Sequence, residues 1–225
     1  MTTIPQRKRS KGFTVFDCET IPQDEARLLA IAPEFEGRAG TKDPEKIAAQ
    51  IEEKKRAYLA DSALHWTTCE VALICLGNDS SNISAISEGS EADKLEQFLN
   101  IASYNLQNGM KLIGHNILGF DLPIIINRAR INGLRIPESI GQMNNGRWYW
   151  NENIVDTLQV ITFGNKQDIA GNSVDAIAKA CGFPSKLGDG ANFHQLWKQN
   201  KAGAISYCRQ DVIIEILIAE MLGYK

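Results

Sequence analysis

The sequence predicts an α/β protein, one mixed central β-sheet flanked by α-helices, in a single domain. Three observations lead there. Short apolar runs of strand length alternate with helical periodicities along the chain. The first apolar run has no polar face, as expected of a strand covered on both sides. The 225 residues suffice for one substantial core, and neither an internal repeat nor a low-complexity tract divides them.

Taken in order, Gly12 to Phe16 is aromatic and β-branched and reads as that covered strand, which Ile21-Pro22 then breaks. Asp43 to Tyr58 is a mostly polar, exposed helix with Asp43 as N-cap and Pro44 in its first turn. It reads as a helical insertion covering about 34–66. Val71 to Leu76 is a strand, Gly77 to Ser81 a turn, and Asn82 to Ser87 the hairpin partner. Glu91 to Gln107 is an amphipathic helix with Leu95, Phe98, Leu99, Ala102 and Leu106 inward. Lys111 to His115 is a short strand, and Asp121-Leu-Pro123 opens a helix running to about Asn132. Gly133 to Glu152 reads as a long surface loop, and Ile154-Val155 as a brief strand. Asn172-Ser173 caps a helix from Val174 to Cys181, ended by Gly182. Pro184 to Phe193 is a turn-rich linker and Phe193 to Gln199 a short helix. Ala202 to Leu222 is a long final helix with Ile213, Ile214, Leu217, Ile218 and Met221 on its apolar side.

Composition narrows the function classes. No apolar run reaches membrane-spanning length, and no segment of signal-peptide type adjoins the N-terminus. Residues 1–11 form a basic tail with Arg7, Lys8, Arg9 and Lys11, read either as a solvated flexible segment or as a phosphate-contacting arm. The five cysteines show no metal-type spacing and read as reduced thiols of a cytoplasmic protein. A net charge of −3 does not mark a nucleic-acid binder, so a local patch or bound divalent metal would have to supply positive charge.

Against that background, the stretch Phe13 to Thr20, FTVFDCET, ends an apolar run with two acids. Residues i and i+2 of a strand share a face, so Asp17 and Glu19 point together and repel unless something positive lies between them. A divalent cation meets that need, and oxygen ligands suit Mg²⁺ or Mn²⁺. The triplet alone is also compatible with a solvated pair. Two further sites add weight. Asp121 stands at a helix start with Asn116 and Phe120 before it, a position otherwise read as a plain N-cap. Tyr207 and Asp211 are four apart on the final helix and share a face.

The ordered set Phe16-Asp17-x-Glu19, Asn116-x3-Phe120-Asp121 and Tyr207-x3-Asp211 resembles the three exonuclease motifs of the DEDD 3′–5′ exonucleases. Ser206 stands where the histidine subclass requires its histidine, and Tyr207 fits the tyrosine subclass (DEDDy). The resemblance runs from about Gly12 to the C-terminus. It is to the stand-alone, family-B DNA polymerase-like proofreading exonucleases of bacteria and phages. It implies an RNase H-like fold over 12–225 and two divalent metal ions, Mg²⁺ or Mn²⁺. Asp17 would bridge both ions, Glu19 and Asp211 complete the site that activates water, and Asp121 hold the second ion. Tyr207 would orient the attacking water, since an ordinary phenol is a poor base at neutral pH. Thr20 and Asn116 match positions that contact the terminal nucleotide, and Phe120 one assigned to packing or base contact.

The implied substrate is the 3′ end of single-stranded or frayed DNA, with nucleoside 5′-monophosphates as products and replication or repair proteins as partners. RNA 3′-end trimming and an idle nucleic-acid-binding module on the same fold stay open as alternatives. His115 and His194 read as buried or capping histidines, and Asp156 as a supporting partner of the site or a structural cap. Arg147 to Trp150, RWYW, reads as a base-stacking loop or as aromatics packed on the core. Arg209 reads as facing phosphate or solvent.

Overall fold

The computed structural model describes residues 12–164, 170–188 and 190–225. The basic run at Arg7 to Lys11 lies outside the described residues. The main sheet has five strands in the order β3-β2-β1-β4-β7, and a separate two-stranded ribbon pairs β5 with β6. β1 (Phe13–Pro22), β4 (Lys111–Gly114) and β7 (Ile154–Asp156) are parallel neighbours, whereas β2 (Cys69–Asp79) runs antiparallel to β1 and to β3 (Asn82–Ile86). The sheet is therefore mixed, as expected.

Two-residue alternation along β1 builds the layers. Phe16 and Cys18 face one core with α3 (Glu91–Gln107) and α4 (Asp121–Ile131), where Phe98, Leu95 and Ile125 are buried. Phe13 and Val15 face a second core with α7 (Phe193–Gln199) and α8 (Lys201–Met221), where Phe193, Cys208 and Val212 are buried. A central strand needs apolar residues on both faces, which is why Gly12 to Phe16 lacks a polar face.

Several boundaries differ from expectation. β1 continues through the acids to Pro22, because β2 supplies partners as far as Cys69, with a register shift between Glu19 and Thr20. A short helix α1 (Glu25–Ile31) follows, capped by the Asp24 side chain. It precedes the expected polar helix α2 (Pro44–Asp61), which Asp43 caps and which buries no residue. Gly133 to Glu152 is not a loop throughout. It folds into the hairpin of β5 (Gly141–Asn144) and β6 (Arg147–Trp150). Asn145 and Gly146, both at positive φ (49° and 75°), form its two-residue turn. A five-residue helix, α5 (Thr157–Ile161), follows β7, and α6 (Val174–Cys181) ends on Gly182 in the left-handed region. α8 has no single apolar side: Ile214, Ile216 and Ile218 are all buried, and Met221 is exposed. Among the described residues no helix is long and apolar enough to cross a membrane. All five cysteines are free.

Candidate active site

The parallel strands create the site. β4 pairs with β1 only as far as Ile113 opposite Val15 and stops at Gly114, while β1 runs on. Beyond the carboxyl ends of β1 and β4 a crevice opens, the usual ligand position of such sheets. Asp17 and Glu19 fall on the part of β1 that β4 leaves uncovered. Alternation turns both toward α8: a carboxylate oxygen of each and the Cys208 Sγ lie within 4.8 Å of one another. The Cys208 thiol donates to Asp17 Oδ2 at 3.6 Å.

Asp121 enters from the opposite layer. It begins α4, but its side chain does not cap that helix, whose N-cap Phe120 also makes no side-chain cap bond. Instead, Asp121 Oδ1 accepts from the backbone N–H of Cys18 at 3.0 Å. The bond crosses 103 residues of sequence and fastens the acid of α4 between Asp17 and Glu19. The plain N-cap reading of Asp121 is thus replaced.

α8 contributes the remaining pair. Tyr207 and Asp211 are both buried, 4% exposed each, on one helical face. Asp211 Oδ2 pairs with Lys186 Nζ at 2.8 Å, and the same ammonium stands 5.7 Å from the Tyr207 ring centre. Lys186 belongs to the stretch read as a linker. Among the described residues it is the lysine that lines the cavity, which the sequence reading did not single out, as it did not single out Cys208. A lysine among Gly and Ser, and a cysteine among apolar residues, offer no local signal.

One cavity of about 220 Å³ collects Asp17, Glu19, Asn116, Phe120, Asp121, Tyr207 and Asp211 on its walls. Asn116 holds its place at φ 61°, a left-handed conformation that asparagine tolerates better than most residues. Its N–H donates to Asp156 Oδ1 at 2.9 Å. Asp156 also accepts from the N–H groups of Leu118 (3.1 Å) and Leu158 (3.0 Å), which makes it a structural clamp between β4 and α5. Phe120 lines the cavity and packs on the core. Thr20 stands apart from the others. Past the irregularity in β1 it is buried, its hydroxyl donates to Ala63 O at 2.6 Å, and it is not on the cavity wall. His115 lines the cavity with Nδ1 3.0 Å from Thr157 Oγ1, whereas His194 is half-buried on α7 away from it. Arg209 is exposed.

Crowding disturbs every acid. Burial, then the charges of Asp121 and Asp211, pushes the Asp17 carboxyl well above its usual range. Burial, then Asp17 and Asp211, does the same to Glu19. Burial raises Asp121 to about 6 against the bond from Cys18, and it raises Asp211 against the pull of Lys186. Burial, then Asp211 and Glu19, drives the Tyr207 phenol up, so it stays protonated. Among the described residues one lysine faces these acids, and the buried Oδ1 of Asp211 has no hydrogen-bond partner. These residues fit a hard divalent cation. The donors are carboxylate oxygens, and a doubly positive ion would offset the burial that raises them all and the repulsion that adds to it at Asp17 and Glu19.

A family model described as a predicted 3′–5′ exonuclease related to the exonuclease domain of PolB matches residues 62–218. The chain belongs to this family. The matched stretch contains Asn116, Phe120, Asp121, Tyr207 and Asp211 and starts where α2 has ended. Asp17 and Glu19 lie before it and join the other acids through the pairing of β1 with β2 and β4. Among solved structures, the chain is similar to the family B DNA polymerase of the hyperthermophilic archaeon Pyrobaculum calidifontis. The TM-score is 0.57 at 17% identity, over 93% of this chain and 24% of the polymerase. At that identity the likeness is one of fold, consistent with an RNase H-like PolB exonuclease domain. No curated protein matches the chain.

Proposed function

We propose that this protein is a DEDDy-type, metal-dependent 3′–5′ exonuclease that removes nucleoside 5′-monophosphates from single-stranded or frayed DNA ends. The observation that carries the reading is the convergence of Asp17, Glu19, Asp121 and Asp211 from three distant segments on one cavity, where, among the described residues, a single lysine faces them. Family membership makes the nucleic acid the natural substrate. The single-domain organisation, with an insertion over about 34–66 that contains α2, belongs to the same proposal.

The four carboxylates would hold two divalent cations, Mg²⁺ or Mn²⁺. When bound, such a pair clamps the attacking and leaving oxygens of an in-line displacement and makes water a better nucleophile. The chain's own groups do the rest. β1 is held on both sides up to Val15, and β2 alone pairs with the stretch that carries Asp17 and Glu19, while the Cys18 N–H fixes Asp121 relative to them. Burial holds the Tyr207 phenol in its protonated form, which suits a hydrogen-bonding role toward the attacking water. Asn116 and Phe120 line the same cavity, and in this reading they would meet the terminal nucleotide. Thr20, with its hydroxyl already bonded to Ala63, would contribute through packing or backbone.

The test is degradation of 5′-labelled single-stranded DNA, with RNA of matched sequence alongside, in Mg²⁺, Mn²⁺ or EDTA. A ladder shortening from the 3′ end, lost in EDTA and in Asp17→Ala, is expected. Undiminished degradation by Asp17→Ala would overturn the proposal.

A further inference from the structure

Glu215 is one turn beyond Asp211 on the same face of α8, and neither its burial nor any motif above gives it a task. Its neighbours on the helix are Ile214, Ile216 and Ile218, all buried, so an apolar residue would suit the position better. The side chain is 4% exposed, lines the acid cavity, and leaves its buried Oε2 without a hydrogen-bond partner among the described residues. Burying an acid without a donor is expensive.

The carboxylate of Glu215 reaches the end of β4. A Cβ on Gly114, the last residue of β4, would come within 3.5 Å of Glu215 Oε2, and within 2.8 Å of the Phe16 carbonyl. The true clashes there are with Ile117 Cγ2 and the Phe16 carbonyl, so glycine is required by the close approach of that loop and strand, and Glu215 Oε2 lies at ordinary contact distance from the strand end. Burial and then the charges of Asp17, Asp121 and Asp211 weigh on Glu215, with Lys186 as the relieving charge. The acid is thus directed at the ligand set and not at a structural donor.

We propose that Glu215 is a fifth acid of the cation site, a positioning residue whose charge and free Oε2 strengthen the hold of Asp17 and Asp121 on a divalent cation. The inference rests on the reading of the cavity as a cation site, and the experiment separates the two. Mn²⁺ binding to the full chain is measured by isothermal titration calorimetry for the wild type, Asp17→Ala, Glu215→Gln and Glu215→Asp. Thermal melts in EDTA accompany each. The expected result is loss of binding in Asp17→Ala and a Mn²⁺ affinity lowered about tenfold or more in Glu215→Gln, as for residues that support a metal from behind. Glu215→Asp, which keeps the charge, should lie between Glu215→Gln and the wild type. The EDTA melt of Glu215→Gln should equal or exceed that of the wild type. If Glu215→Gln binds Mn²⁺ as the wild type does while Asp17→Ala does not bind it, Glu215 is a packing residue and this inference fails alone. If Asp17→Ala also binds like the wild type, the cavity is not the cation site and both readings fall. Should Glu215→Gln not melt cooperatively, Glu215→Met, of similar length in a helix rich in isoleucine, is read against the same outcomes.

Discussion

Two clusters of buried carboxylates lie at the two ends of α4, and they are built on opposite terms. At the far end Glu91 is fully served. Its oxygens accept from Arg128 Nε (2.8 Å) and an Arg128 terminal nitrogen (2.6 Å), from the Val71 N–H (2.8 Å) and from the Asn132 amide (2.8 Å). Against the cost of burial, these donors hold Glu91 below its usual range. At the near end Asp121 joins Asp17, Glu19 and Asp211, and all four are raised. Burial is common to both clusters; the supply of donors is what differs. A carboxylate that holds the fold together is given its partners in the chain, whereas one that awaits a ligand is left short of them.

Removing the served cluster's cation should break the comparison most visibly. Arg128→Ala leaves Glu91 buried without its main partner and is expected to cost about 3–5 kcal/mol of stability in denaturant unfolding. Next in size, Tyr207→Phe should lower turnover about 10²- to 10³-fold, the range for losing one positioned donor. Its Mn²⁺ affinity by calorimetry should stay near that of the wild type, because the phenol is not a proposed ligand. Asp121→Asn sharpens the contrast from the other side. The amide oxygen can still accept from Cys18 while the charge is gone, so stability in EDTA should rise by about 1 kcal/mol, as relief of a buried charge does.

The smallest expected effect is a pH slope. Asp121 binds its proton more tightly folded, up to about 6, than its ordinary value of 3.8. Its protonated form therefore favours the native state, and that contribution is lost as pH rises through this window. Asp17, Glu19 and Asp211 act in the same direction. Glu91, being lowered, acts in the opposite one, its contribution being lost as pH falls. In EDTA the unfolding free energy, and with it the denaturation midpoint, should decline as pH rises from about 4 to 6, by at most about 1.4 kcal/mol per pH unit for each proton involved. Saturating Mg²⁺ should abolish the decline. A midpoint that rises over this range in EDTA would contradict the electrostatic account.

The contrast also explains what the sequence disclosed. Helices 91–107, 174–181 and 193–199 were legible to the residue, the first two because local chemistry closes them. Ser90 and Asp93 form a capping box, and Ser173 and Gly182 bracket α6. The four acids and Tyr207 were legible by strand and helix periodicity together with their order. Lys186 and Glu215 were not, since each acquires meaning only from neighbours far away in the chain. β1 was read short because acids depress strand propensity, yet β2 pairs with it regardless. The β5–β6 ribbon was missed although Asn145-Gly146 is a hairpin signal, because its flanks are largely polar and exposed. There Trp148 lies against Trp150 and under Arg130, with centroid separations of 5.6 and 5.3 Å. Both tryptophans are half-buried, so part of RWYW is packed down, as one of the two readings had it.

The orphaned oxygens of Asp211 and Glu215 bear on the history of such a chain. Selection retains costly groups only while they are used, and most stabilising replacements lie where function has imposed a burden. A descendant that ceased to need this cavity would gain robustness by exchanging almost any of its acids for an amide or an aliphatic residue. Glu91 offers no such gain, because every exchange there strands Arg128. Drift without use would therefore erode the acid cavity long before the ion pair at the other end of the same helix.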